Sequence, residues 1–230
     1  MPEAVSLEPS TFVRNLALYL IPMILSLSVH EFAHALVATK LGDDTPEADG
    51  RLTLSPVAHV DPIGTLLVPT LSILLVGYSF IGWARPVQFN PLRFKRNVDM
   101  RRGIALTAAA GPLSNLLLAV LSIALLTALL SFGALSWGNK AHESIIRFLM
   151  AMFSVNVGLC VFNFLPIPPL DGSRLLPRSF DDIVEQAGKY SFLLVLVVLN
   201  VAPLRNALIV APVRFLGNGI LAIFGHPRLM

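Results

Sequence analysis

The chain has 230 residues, 55% hydrophobic and 13% charged, with a mean hydropathy of +0.73; soluble domains carry roughly 25% charged residues, so an ordinary water-soluble protein is excluded and lipid is the natural solvent. The net charge is +3 and the isoelectric point near 9.4. The Lys and Arg residues sit in short loops between apolar runs, which reads as a topology signal and not as a nucleic-acid surface. Cys160 is the single cysteine, so neither an intrachain disulfide nor a Cys-based metal cluster can form.

The opening MPEAVSLEPS is acidic and lacks the basic start of a signal peptide, so the first apolar run is expected to be retained. That run, 11–41, predicts a helix opened by Pro9 and Ser10 and stopped by Gly42, Asp43 and Asp44. At about 1.5 Å per residue it outruns a hydrocarbon core about 30 Å thick. Residues 42–62 are polar and turn-rich, and the stretch GRLTLSPVAHVDPIGT leads out of them into a second apolar run, 63–83, broken by Pro69, Gly77 and Gly82. A loop rich in Arg and Lys follows, opening with the strand-like ARPVQFNP. The third segment, 103–132, contains AAAGPLSN, and the fourth, 145–170, runs into NFLPIPPLDGSR. Two short runs, 190–204 and 206–224, read as a C-terminal pair.

Chemistry concentrates in V-H-E-F-A-H-A. His30 and His34 are four apart on one helix face, so both imidazoles reach one ion. Zinc suits the pair, because catalytic zinc takes three protein ligands and leaves the fourth position to water. Glu31, beside the first histidine, can take a proton from that water. Ionisable groups in a membrane helix are costly and usually functional. A third ligand is required, and the candidates are His59, Asp61, His142, Asp171 and His226. His142 and His226 fall in loops or at the terminus. Asp61 before Pro62 reads as a turn residue. Asp171 follows a proline-broken helix end, where it is either a metal ligand or a helix-end turn residue.

HEFAH on a membrane helix, paired with the distant NFLPIPPLDG, resembles the site-2 protease family of intramembrane zinc metalloproteases. GRLTLSPVAHVDPIGT, GWARPV and AGPLSN extend the resemblance from Val29 to Arg174, toward the compact prokaryotic branch without PDZ or CBS domains. Ser55 departs from the TLNP that this stretch often reads. The resemblance implies one zinc ion per chain on His30, His34 and Asp171, with Glu31 as general base and Asn163 near the metal as an oxyanion donor. It also implies a single-pass membrane-anchored substrate already trimmed by another protease. His59 is a candidate neighbour of the site, able to touch bound water or plug the cavity; the residues themselves favour a capping or turn role.

The motif imposes a parity condition. His30 and His34 lie toward the C-terminal end of segment one, and Asp171 follows segment four, so these helices should run in the same direction. The second run must then re-enter rather than cross. Most Lys and Arg residues fall on the side of the metal, whereas Arg14, Lys140, Arg147 and Arg205 fall on the other. The positive-inside rule therefore puts the site nearer the cytoplasmic face of a multi-pass cell-membrane protein.

The expected fold is all-α and polytopic, a single integral-membrane domain over 1–230. It has a core of three transmembrane helices (11–41, 103–132, 145–170), a re-entrant segment 63–83, a strand-like membrane-edge element near 84–90, and two C-terminal apolar helices. An extended segment at 84–90 would offer a substrate an edge for strand addition. The rival readings are a zinc-binding membrane transporter, disfavoured by the few polar residues in the other segments, and a non-proteolytic scaffold, disfavoured by the intact Glu31.

Overall fold

The structure, a computed structural model, describes residues 9–76 and 82–225; Gly77 of the expected bend and His226 lie outside the described residues. Helix α1 spans Pro9–Leu41. The short helices α2 (Thr45–Ala48) and α3 (Pro56–His59) follow, then a π-helical turn, Pro62–Leu67, that runs into α4 (Val68–Val76). Helix α5 spans Met100–Ser131 and α6 Lys140–Asn163. After a 3₁₀ turn at Asp171–Leu175 come α7 (Asp181–Gly188), α8 (Ser191–Asn200), α9 (Ala202–Arg205) and α10 (Ala211–Ile223).

Four helices among the described residues are long and apolar enough to cross a membrane: Leu16–Leu41 within α1, α5, α6, and the rod Ala202–Ile223. The C-terminal pair therefore divides at Val201 and not at 205. Pro203 sits in the first turn of α9, where a missing N–H costs nothing, so it starts a helix. A π-turn, Asn206–Val210, then carries the chain on into α10. At the other boundary, the segment expected to reach 170 stops at Asn163. Pro166 disfavours helical backbone at Leu165 and removes an N–H donor, which frees the chain to turn. Side-chain caps define the starts: Asp99 accepts from Arg102 N at 2.9 Å, and Asn139 from Ala141 N at 2.9 Å.

Helices α1, α5 and α6 pack pairwise. Contacts between α1 and α5 run in opposite order, His30 to Asn115 and His34 to Thr107, so these helices are antiparallel. Helix α6 returns from α5 after the loop 132–139 and is therefore parallel to α1. In lipid, burying apolar surface between helices adds little, and close backbone approach and interhelical hydrogen bonds carry the association. Helix α5 supplies both through a buried stripe spaced by four: Gly103, Thr107, Gly111, Asn115 and Ala119. Beyond the stripe, Ile123 and Leu126 pack with Ile146, Leu149, Phe153 and Val157 of α6 and with Ile220 and Leu221 of α10.

The chain between α1 and α5 ends where it begins, since Lys95 N donates to Leu41 O at 2.8 Å. Gly42 makes this turn with φ +113°, a conformation that disfavours a side chain. Within that excursion the two ends of the second apolar run also meet. Trp83 N donates to Gly64 O at 3.2 Å and Thr65 Oγ1 to Trp83 O at 2.6 Å. A Cβ on Gly64 would collide with the Trp83 indole, so glycine is required there.

The segment 84–90 is extended but belongs to no sheet among the described residues. Its inward N–H groups are spent on single acceptors and not on a neighbouring strand. Arg85 N donates to His59 O at 2.8 Å, Val87 N to Glu31 Oε2 at 2.8 Å, and Asn90 N to Asp43 Oδ2 at 2.5 Å.

Candidate metal centre

His30 and His34 lie on the face of α1 turned toward α5, both buried. The Nδ1–H of His34 donates to Thr107 O at 2.7 Å. His30 Nδ1 meets Asn115 Oδ1 at 2.6 Å, again an acceptor. Both imidazoles thus carry their proton on Nδ1 and turn the Nε2 lone pair inward. The two Nε2 atoms are 3.0 Å apart, and Asp171 Oδ2 lies 3.2 Å from each.

Three electron pairs therefore converge with no proton between them, an arrangement that calls for a cation. The spacing suits one: tetrahedral zinc with bonds of about 2.0–2.1 Å separates its ligand atoms by roughly 3.3 Å. His30, His34 and Asp171 form a group able to hold a metal ion. Gly111 makes room for it, since a Cβ there would collide with ring atoms of both histidines.

Asp171 reaches the pair because its turn folds back on the end of α6. A Cβ on Gly172 would strike the Phe164 and Leu165 carbonyls, so glycine lets the chain double back. Ser173 closes the turn by donating Oγ and N to Leu170 O at 2.7 and 3.1 Å. Arg101 of α5 fastens the following residues through Leu176 O and an ion pair with Asp181 at 2.8 Å.

Glu31 is buried beside the pair, its Oε2 accepting the Val87 N–H. The extended segment containing Val87 is tied to the Asp171 turn as well, with the Arg174 guanidinium 5.2 Å above the Phe89 ring. One edge of this segment is spent on the protein; the N–H groups of Ala84 and Gln88 have no partner among the described residues.

The remaining expected residues make hydrogen bonds of their own. Asn163 is the last residue of α6 and donates Nδ2 to Leu159 O at 3.1 Å, within its own helix. His59 is buried and bonds Thr53 O through Nε2 at 2.8 Å, bracing the loop that ends in α3, and none of its hydrogen bonds goes to the metal-competent trio. Asp61 caps the π-turn by accepting from Ile63 N at 3.0 Å and Gly64 N at 2.6 Å, as a turn residue should. His142 accepts from Ser136 N at 3.0 Å, at the opposite end of α6.

Sequence reading gave no role to Asn115, Asn156 or Ser26, although all three are buried among the membrane helices. The signal was present: uncharged polar side chains inside apolar runs must find partners.

The sequence profile of peptidase family M50 matches residues 87–203. The protein named "Putative zinc metalloprotease YwhC" of Bacillus subtilis is 40% identical over 81% of each chain. "Putative zinc metalloprotease Rip2" of Mycolicibacterium smegmatis is 31% identical, covering 87% of this chain and 73% of its own. Its namesake in Mycobacterium tuberculosis H37Rv is 30% identical with the same coverage. No solved structure matches the chain. On the profile, the relatives and the site geometry together, the chain belongs to peptidase family M50, the site-2 protease family of zinc metalloproteases.

Proposed function

We propose that this protease works inside the membrane, with His30, His34 and Asp171 holding one zinc ion and Glu31 as the general base. It would cleave within or beside transmembrane helices of membrane-anchored substrates. The observation that carries this is the convergence of His30 Nε2, His34 Nε2 and Asp171 Oδ2 inside a bundle of membrane-length helices. When bound, zinc supplies Lewis acidity, lowering the pKa of water and polarising the scissile carbonyl. Glu31 takes the proton of the attacking water and returns it to the leaving amine. Asn163 donates to the oxyanion, giving up its bond to Leu159 O.

The substrate must unwind locally, because helical hydrogen bonds shield its carbonyls. The N–H groups of Ala84 and Gln88, without partners among the described residues, suit an added strand, beside a base bonded to that same segment. The preferred substrate is a single-pass protein already shortened by another protease. In the topology that fits this reading, the run 63–83 dips into the membrane and returns, and the site lies toward the cytoplasmic face. The hydrogen bonds joining Trp83 to Gly64 and Lys95 to Leu41 support the return, and the distribution of Lys and Arg supports the orientation.

Cleavage of a model transmembrane substrate by purified protein tests the chemistry. Glu31→Gln should retain zinc and lose about 10²–10⁴-fold in kcat, the usual contribution of a general base. Undiminished cleavage would refute the assignment. Topology is tested by labelling single cysteines at Ile63 and Arg85, both exposed, in a Cys160→Ala background. Labelling from opposite faces would refute re-entry.

A further inference from the structure

His34 and His30 acquire the same tautomer by different means. The partner of His34 is a backbone carbonyl, which can only accept. The partner of His30 is the side-chain amide of Asn115, whose two ends have opposite roles. Turned over, that amide would present its NH₂ to Nδ1, drive the imidazole proton to Nε2 and remove the inward lone pair.

A chain of fixed-polarity bonds across three helices opposes this. Ser26 Oγ donates its only proton to Pro22 O at 2.6 Å, so it must accept from Asn156 Nδ2, 2.8 Å away. Asn156 Nδ2 also donates to Met152 O at 2.8 Å. The Asn156 amide is thereby set with Oδ1 toward Asn115, whose Nδ2 donates to it at 2.8 Å and to Ser26 O at 3.3 Å. Only Oδ1 of Asn115 then remains for His30. A reversed amide would set that oxygen against Asn156 Oδ1 and Ser26 O. Ser26, Asn115 and Asn156 are all fully buried, and the proposed reaction makes no other use of them.

We infer that Asn115 is a positioning residue that presets the metal-binding tautomer of His30, with Asn156 and Ser26 fixing the direction of its amide. The inference rests on reading His30 as a metal ligand. Partners that orient a liganding histidine typically change metal affinity 10–100-fold when removed.

The test is Zn²⁺ affinity of the full-length protein in detergent, by competition with a chelating dye. Asn115→Leu should weaken zinc about 10–100-fold. Asn115→Asp offers Nδ1 an acceptor whichever way it turns, though its second oxygen meets Asn156 Oδ1 and Ser26 O, and should weaken zinc less than Asn115→Leu does. Asn156→Leu should therefore weaken zinc in the parent and cause no further loss in Asn115→Asp. Equal losses in both backgrounds would overturn the inference and make the network a helix tie alone. His30→Ala separates the premises: unchanged zinc affinity would defeat the ligand reading itself. Lost zinc there, with undiminished affinity in Asn115→Leu, would defeat only this inference. No variant need fold for the final measurement, ¹⁵N-histidine NMR of the metal-free parent. A proton on Nδ1 of His30 is expected; a proton on Nε2 would overturn the proposal.

Discussion

Replacing Gly111 with alanine puts a methyl group 2.6 Å from His30 Nε2 and closer still to His34 Nε2. Carbon packs against ring atoms at about 3.5–4.0 Å, so the overlap approaches 1 Å. The obstacle is two imidazoles, each held at Nδ1 by a buried acceptor, so little of the strain can be shed by rotation. Moving α5 outward would break both of those bonds together. Overpacking of this kind costs about 1–3 kcal/mol of stability. Displacing a reacting group by about 1 Å costs about 10²-fold in rate. Gly111→Ala should therefore lower kcat/KM by about two orders of magnitude and weaken zinc in a chelator competition, with a helical circular-dichroism spectrum like that of the parent. A variant with parental zinc affinity and activity would refute the placement of the two rings against α5.

Two further substitutions separate the roles around the base and the oxyanion. Val87→Pro deletes the N–H bound to Glu31 while Pro86 already favours extended backbone; zinc affinity should hold and kcat fall about tenfold, within the range for a charge-assisted hydrogen bond. Unchanged turnover would mean that the contact does not orient the base. Asn163→Ala should lower kcat by about 10²–10³-fold at constant KM, the usual loss of an oxyanion donor, and an effect confined to KM would exclude that role.

What could be read from the sequence followed the range of the interactions involved. The His30–Glu31–His34 cluster is local to one helix turn and needs only the 3.6-residue period. Asp171 needed the resemblance, because residues alone left it balanced between ligand and turn. The antiparallel order of α1 and α5 agrees with the parity that a shared ion demands. The tautomer network was out of reach, since Ser26, Asn115 and Asn156 come from three separate apolar runs and only packing shows which polar atoms meet. The contact of Glu31 was hidden for another reason: its partner is a backbone N–H, which every residue but proline carries. Helix ends moved where proline acted in an unexpected direction, stopping α6 at Asn163 and starting α9 at Ala202.

The four-residue spacing along α5 has a rotational consequence. Four residues turn an α-helix by about 400°, so each step from Gly103 to Ala119 advances the stripe by about 40°, and the whole by about 160°. The stripe therefore winds around α5 and faces successive neighbours: Phe94 at Gly103, the two histidines from Thr107 to Asn115, and the core shared with α6 and α10 at Ala119. The metal centre occupies the middle of that winding. A single inserted residue between Thr107 and Asn115 would swing one grip on the histidines by about 100° relative to the other. Helix α5 thus sets the angular phase in which the two rings face each other.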